Sequence, residues 1–150
     1  MTIVELPDFA ATDRLAAQIA RLVRPGDVVA LEGGLGAGKT TLARAILAAL
    51  GHEGEVPSPT FQIIEVYDPP TVRMPVVHAD FYRLENPDET DEIGLEEYRQ
   101  GAVLLAEWPE NAGGFVHEPG CLSIRVEMAE KGRRAIVEPG RDWLEREAWT

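Results

Sequence analysis

Apolar side chains recur every three or four positions in TDRLAAQIARLV, at Leu15, Ile19 and Leu22. That period is helical, and Thr12 is the expected N-cap. Before it, IVEL reads as a short starter strand, and after it RPGD reads as a turn. DVVALEG is a short apolar run without helical spacing, as expected of a buried strand. The Ala- and Leu-rich stretch KTTLARAILAALG predicts a second helix, closed by Gly51. HEGEVPSPT follows as a loop, FQIIEVY alternates like a strand, and DPPTVRMP turns the chain. VVHADFY and AVLLAEW are two more apolar strands, each ending in an acid. Between them, ENPDETDEIGLEEYRQG predicts loop plus short helix. CLSIRVEM and RRAIVEP flank the turn-like AEKG and predict an antiparallel hairpin, with DWLEREAW as a closing helix. Strands interleaved with helices imply an α/β fold. The expectation is one domain over residues 1–150, with a mixed central sheet, helices on both faces and a C-terminal antiparallel hairpin.

Composition narrows the class. Hydrophobic residues make up 45% of 150, enough for a core without covalent staples. The one cysteine, Cys121, excludes an internal disulfide and reads as a buried strand residue. No run of 18 apolar residues exists, so no membrane span is expected. MTIVELPDFAATDRLA has early acids and no basic flank before an apolar run, unlike a secretory signal, so a cytoplasmic location is expected. The formal net charge is −12. Nucleic-acid binders need a basic field to neutralise phosphates, so direct contact with RNA or DNA is not expected.

The candidate chemistry begins at LEGGLGAGKT. Gly33, Gly38, Lys39 and Thr40 satisfy G-x-x-x-x-G-K-[ST], between an expected strand and an expected helix, the context this motif requires. Chance yields such a match on the order of once per thousand chains of this composition. Gly33, Gly34, Leu35, Gly36, Ala37 and Gly38 would turn backbone N–H groups toward phosphate oxygens, and the following helix adds the positive end of its dipole. Lys39 supplies a point charge to β- and γ-oxygens. The Thr40 hydroxyl is suited to Mg²⁺, and Thr41 is placed for the α-phosphate. No N-K-x-D guanine-reading motif is present, which favours ATP.

Hydrolysis also needs a metal acid and a group that places water. Asp80 after VVHA and Glu107 after AVLLA fit, because ligands of open α/β sheets sit at the carboxyl ends of strands. His78 shares a strand face with Asp80 and reads as a supporting residue, with a ligand role the alternative. Trp108 packs by the base, covers the site or simply packs. Ser58 and Thr60 of SPTF belong either to a switch loop ordered by a γ-phosphate or to a plain turn.

GGLGAGKTT, SPTF, HADFYRL, EIGLEEY and EWPE, in this order, resemble the TsaE (YjeE) family, the ATPase subunit of bacterial tRNA threonylcarbamoyladenosine biosynthesis. The resemblance spans roughly residues 10–140. It implies a small P-loop ATPase, weak alone and stimulated by TsaB- and TsaD-type subunits, which modify A37 of tRNAs reading ANN codons. ATP turnover then resets that complex, and tRNA is met only through the partners. It further implies phosphate and Mg²⁺ roles for Lys39 and Thr40, and a switch-like loop around Thr60. Asp80 and Glu107 match the functional acids, with Glu107 toward the metal, and Trp108 matches the aromatic near the nucleotide. The acidic ENPDETDEIGLEEY segment would suit a basic partner patch or merely be a solvated face. A small-molecule kinase would need an arginine-rich lid, and beyond Glu107 the adjacent arginines are Arg133 and Arg134, in the expected hairpin. A nucleotide switch that does not hydrolyse remains the other alternative.

Overall fold

A computed structural model describes residues 1–56 and 63–146. Seven strands form one sheet: β1 (Thr2–Leu6), β2 (Val28–Glu32), β3 (Ile64–Tyr67), β4 (Val76–Asp80), β5 (Val103–Glu107), β6 (Cys121–Met128) and β7 (Arg133–Pro139). Their order is β1-β7-β6-β2-β5-β4-β3. The β6-β2-β5-β4 centre is parallel; β3 and the β6–β7–β1 side are antiparallel. The expected mixed sheet and C-terminal hairpin are both present. β2, β4 and β5 are buried almost throughout, which explains why they read as continuous apolar runs rather than alternating ones.

Helices α1 (Phe9–Leu22) and α2 (Lys39–Ala49) pack on each other over one sheet face. Leu15, Ile19, Leu42, Ile46 and Leu47 meet Val29, Leu31, Val103 and Leu105 in the larger core. Truncating a fully buried Ile19 or Ile46 to alanine there is expected to cost about 2–5 kcal/mol. The opposite face holds a smaller core of Val77, Ala79, Phe81, Leu104, Ala106 and Phe115. It is closed in part by Leu95 of α4 (Leu95–Arg99), which follows the single turn α3 (Glu89–Glu92). Cys121 is buried in β6, as expected. The last turn, α5 (Arg141–Leu144), is shorter than DWLEREAW suggests, and residues 147–150 lie outside the described residues. Its Trp143 is fully buried, and Arg146 forms a bidentate pair with Asp27 at 2.5 and 3.1 Å beneath the sheet.

One helix start differs from expectation. The N-cap of α1 is Asp8, not Thr12: Asp8 is extended (φ −152°) and its carboxylate accepts the Ala11 N–H at 2.9 Å. The added turn, Phe9 to Ala11, lacks a strong apolar stripe, since Phe9 and Ala10 face solvent. Periodicity alone therefore began the helix too late, where capping chemistry places it correctly. At α2 the expected C-terminus holds: Gly51 follows the Leu50 cap in the left-handed region, at φ 117°.

Candidate functional site

The parallel strands β2, β5 and β4 end together, and this edge of the sheet gathers the candidate residues. Residues 33–38 run from β2 to the first turn of α2, and Gly38 is its N-cap. A Cβ on Gly33, whose φ is 144°, would lie 2.4 Å from the Val126 carbonyl oxygen, so the close approach of β6 requires glycine there. Gly34 is different: a Cβ on it would meet nothing within 4 Å, and its φ lies outside the range that disfavours side chains. Nothing within the described protein demands glycine at 34.

Lys39 is buried, and its ammonium donates to Gly33 O at 2.8 Å and Gly34 O at 2.7 Å. Burial lowers its pKa from the usual lysine value; Glu107, Asp80 and Glu110 pull the other way. The Trp108 ring lies over it, 4.2 Å from Nζ to the ring centre, and Tyr82 packs on that ring at 5.0 Å. Trp108 has φ 56°, the one non-glycine residue among those described in the left-handed region. Such backbone costs of order 1–2 kcal/mol for a bulky residue and persists where surrounding contacts demand it.

Strand pairing sets Asp80 opposite Glu107 in the parallel β4–β5 ladder, and Leu31 opposite Glu107 in β2–β5. The acids therefore stand side by side at the mouth of the loop. Glu107 is 2% exposed and held at both oxygens. Thr40 Oγ1 donates to Oε1 at 2.6 Å. His78 Nε2 is 2.6 Å from Oε2, placed to donate its ring N–H to the carboxylate. His78 Nδ1 has no partner among the described residues. His78 is thus a support for Glu107 rather than a residue of the open site. Asp80 is less enclosed and accepts the Tyr82 N–H at 2.9 Å. Burial, then the neighbouring Glu107, raises its pKa above the usual carboxylate value; the Tyr82 N–H, His78 and Lys39 oppose that rise.

These groups line one side of a cavity of about 760 Å³, within the range of small-molecule sites. Leu35, Gly36, Gly38, Lys39, Thr40, Thr41, Asp80, Glu107 and Trp108 all reach it. Ser58 and Thr60 lie outside the described residues; Val56, just before them, is tied by its carbonyl to Arg44 of α2 at 2.9 Å. Two groups were not found by sequence reasoning. The β1–α1 connection, Leu6 to Phe9, forms the far wall of the cavity. Arg133, on β7, bonds the loop carbonyls of Ala37 and Gly36 at 3.0 and 3.3 Å. No local pattern marks either, because distant strand pairing brings them to the loop. Arg134 points elsewhere, to Glu5 at 3.1 Å and Glu127, so the adjacent arginines form no kinase-like lid.

A glycine-rich loop between the central β2 and α2, facing acids at the ends of neighbouring parallel strands, defines an α/β fold of the P-loop NTPase type. Similarity to known proteins takes this further. The family "Threonylcarbamoyl adenosine biosynthesis protein TsaE" matches residues 6–136, so the chain belongs to the TsaE family. A Streptomyces coelicolor protein named tRNA threonylcarbamoyladenosine biosynthesis protein TsaE is 43% identical over 116 residues, 77% of this chain and 78% of the relative. A Rickettsia felis protein of the same name is 35% identical over 124 residues, 82% and 71% of the two chains. The crystal structure of Bacillus subtilis YdiB superposes with a TM-score of 0.68 at 29% identity, covering 95% of this chain and 87% of that one. Among the described residues, no helix is long and apolar enough to cross a membrane.

Proposed function

We propose that this chain is a Mg²⁺-dependent ATPase serving threonylcarbamoylation of tRNA, acting with TsaB- and TsaD-type subunits and resetting their complex by ATP hydrolysis. One contact carries the proposal: Thr40 Oγ1 on Glu107 Oε1 at 2.6 Å, directly beside the Lys39 ammonium. A loop that only held phosphate would not need a buried carboxylate on its threonine.

The residues fit the nucleotide and its metal. The cavity lined by Gly36, Gly38, Lys39, Thr40 and Thr41 is of nucleotide size. No cluster of three or more His, Cys, Asp or Glu suited to a metal exists among the described residues. Mg²⁺ in phosphate sites needs none: it keeps waters and takes one or two protein oxygens plus phosphate. Thr40 and Glu107 would hold it, with Asp80 nearby. When bound, Mg²⁺ neutralises charge developing on the phosphate oxygens. Beyond its bonds to the Gly33 and Gly34 carbonyls, Lys39 has a third N–H for phosphate oxygens, and the N–H groups of the loop and of the α2 N-terminus would add theirs. Glu107 is oriented by Thr40 and His78, one at each carboxylate oxygen. Asp80, with a pKa raised by burial, is suited to orient a water and take its proton at a carboxylate oxygen. Trp108 and Tyr82 shield the lysine side of the cavity.

Partner dependence fits the charge: a chain at −12 would not hold tRNA itself, and exposed acids at Glu92, Glu96 and Glu97 offer a basic partner a surface. The test is recovery of partners from bacterial lysate with ATP, with ADP or without nucleotide, followed by phosphate release from the recovered complex. Mg²⁺-dependent release above that of the chain alone is expected. Phosphate transferred to a small molecule, or binding without turnover, would refute the proposal.

A further inference from the structure

Arg133 is the cation at the loop that the proposed chemistry leaves unused. Its place is rigid. In the sheet register Arg133 lies between Leu6 of β1 and Met128 of β6, so its backbone is paired on both sides. The preceding Gly132 has φ 73°, and a Cβ there would fall 2.5 Å from Leu6 O and 2.7 Å from Pro7 O. The hairpin turn is therefore pressed against the end of β1. From this base the guanidinium reaches across: Nε to Ala37 O at 3.0 Å, Nη2 to Gly36 O at 3.3 Å, and Nη1 to its own neighbour Gly132 O at 3.5 Å. Its donors go to main-chain carbonyls, and no ion pair with a carboxylate is formed among the described residues.

Those carbonyls have a second end. The Ala37 carbonyl belongs to the peptide whose N–H is that of Gly38. The Gly36 carbonyl belongs to the peptide whose N–H is that of Ala37, which closes a turn on Gly34 O at 3.2 Å. Holding these two oxygens fixes the planes of the peptides that carry the Ala37 and Gly38 N–H groups, beside a cavity that Arg133 also lines. The same hairpin braces the loop elsewhere, since a Cβ on Gly38 would sit 3.6 Å from Val126 Cγ1 and 3.9 Å from Arg133 Nε. Asp80 and Glu107 stand on β4 and β5, across β2 from β6 and β7. Arg133 thus supports the loop from the flank away from the acids.

We infer that Arg133 is a positioning residue: it clamps the loop at Gly36 and Ala37, on the side of the cavity away from the acids, so that the loop is shaped for a nucleoside triphosphate before one arrives. It acts on nucleotide affinity, not on the chemical step. This rests on the proposed ATPase function and deepens it.

Arg133→Gln removes the charge and the fork, and Arg133→Lys keeps the charge alone. Binding of MgADP and MgATP is measured by calorimetry for the wild type and both variants, and KM and kcat in the presence of the partner subunits. Expected are about tenfold weaker binding of both nucleotides to Arg133→Gln, a smaller loss for Arg133→Lys, KM raised by the same factor, and kcat within about twofold of wild type. Melting without nucleotide shows that the variants are folded; should Arg133→Gln not fold, Arg133→Lys carries the comparison. Unchanged affinity in a folded variant overturns the inference and leaves the ATPase function standing. So does a kcat loss of tenfold or more at unchanged KM, which would put Arg133 on the reacting phosphoryl group. A wild-type chain that binds neither nucleotide overturns both.

Discussion

Glu107→Gln keeps the shape of the side chain and removes its charge, so it separates chemistry from packing. In the wild type, Glu107 receives two hydrogen bonds of 2.6 Å, from Thr40 Oγ1 and His78 Nε2. Bonds to a charged acceptor contribute about 1.5–3 kcal/mol and neutral ones about 0.5–1.5, so each loses roughly 1 kcal/mol in the variant. The glutamine amide N–H₂ must face one of the two donors. Thr40 resolves this, since its hydroxyl can turn and accept while the amide oxygen keeps His78. Releasing a 2%-exposed carboxylate from its desolvation offsets part of the loss. The net cost to the nucleotide-free fold is about 1–2 kcal/mol, or a few degrees in melting midpoint for a chain of this size. Turnover is expected to fall far more, about 10²–10³-fold, because the charge opposite the metal side of the phosphates is gone. Phosphate release under single-turnover conditions with partner subunits, at a range of Mg²⁺ concentrations, reads the second quantity, and thermal melting in EDTA reads the first. Turnover within threefold of wild type at unchanged Mg²⁺ dependence would show that Glu107 does not serve the metal. A loss of stability above about 4 kcal/mol would show that its role is structural.

His78→Leu removes one donor from Glu107 and is expected to lower turnover about tenfold, whereas His78→Gln, which restores an N–H, recovers most of it; equal activity of the two variants would refute a positioning role. Asp80→Asn tests the raised carboxyl pKa. Because the folded state holds that proton more tightly than the unfolded chain, the wild type loses stability as pH rises from about 3.9 through the folded pKa. The asparagine variant should therefore melt higher than wild type near pH 7 in EDTA, with the gap closing toward pH 4, and should fail in turnover; a lower midpoint at pH 7 sinks the assignment. Glu96→Lys with Glu97→Lys removes only an exposed Glu96–Arg99 pair of 3.5 Å, so stability should hold within about 0.5 kcal/mol. Binding to the partner subunits should weaken about tenfold at low salt and converge with wild type at high salt; unchanged binding would remove the acidic segment from the interface.

What could be foreseen in this chain follows the distance over which its physics acts. β2, β4 and β5 were legible because a strand buried on both faces is a continuous apolar run, and the acids at their ends share one edge once the strands are parallel. Loop residues 33–40 were legible because the whole phosphate-binding chemistry sits in contiguous residues. Asp8 was missed because Phe9 and Ala10 carry no stripe, though its capping chemistry was readable. Arg133 was not readable at all: its role depends on β7 pairing with β1 from the other end of the chain. Nor was the left-handed turn at Trp108, which depends on Lys39 and Tyr82 packing on its ring.

The strong polar groups of this site bond to one another. Lys39 holds Gly33 and Gly34 carbonyls beneath Trp108, Thr40 holds Glu107, Glu107 holds His78, and Asp80 holds the Tyr82 N–H. Lys39 places two of its three N–H donors on the loop carbonyls, and Thr40 Oγ1 keeps its lone pairs while donating to Glu107. Phosphate and Mg²⁺ would therefore be met by what these bonds leave over, without first breaking them. A partner that binds one arrangement of these groups better than another would shift the site toward it, and that is how the proposed dependence of turnover on partner subunits would act.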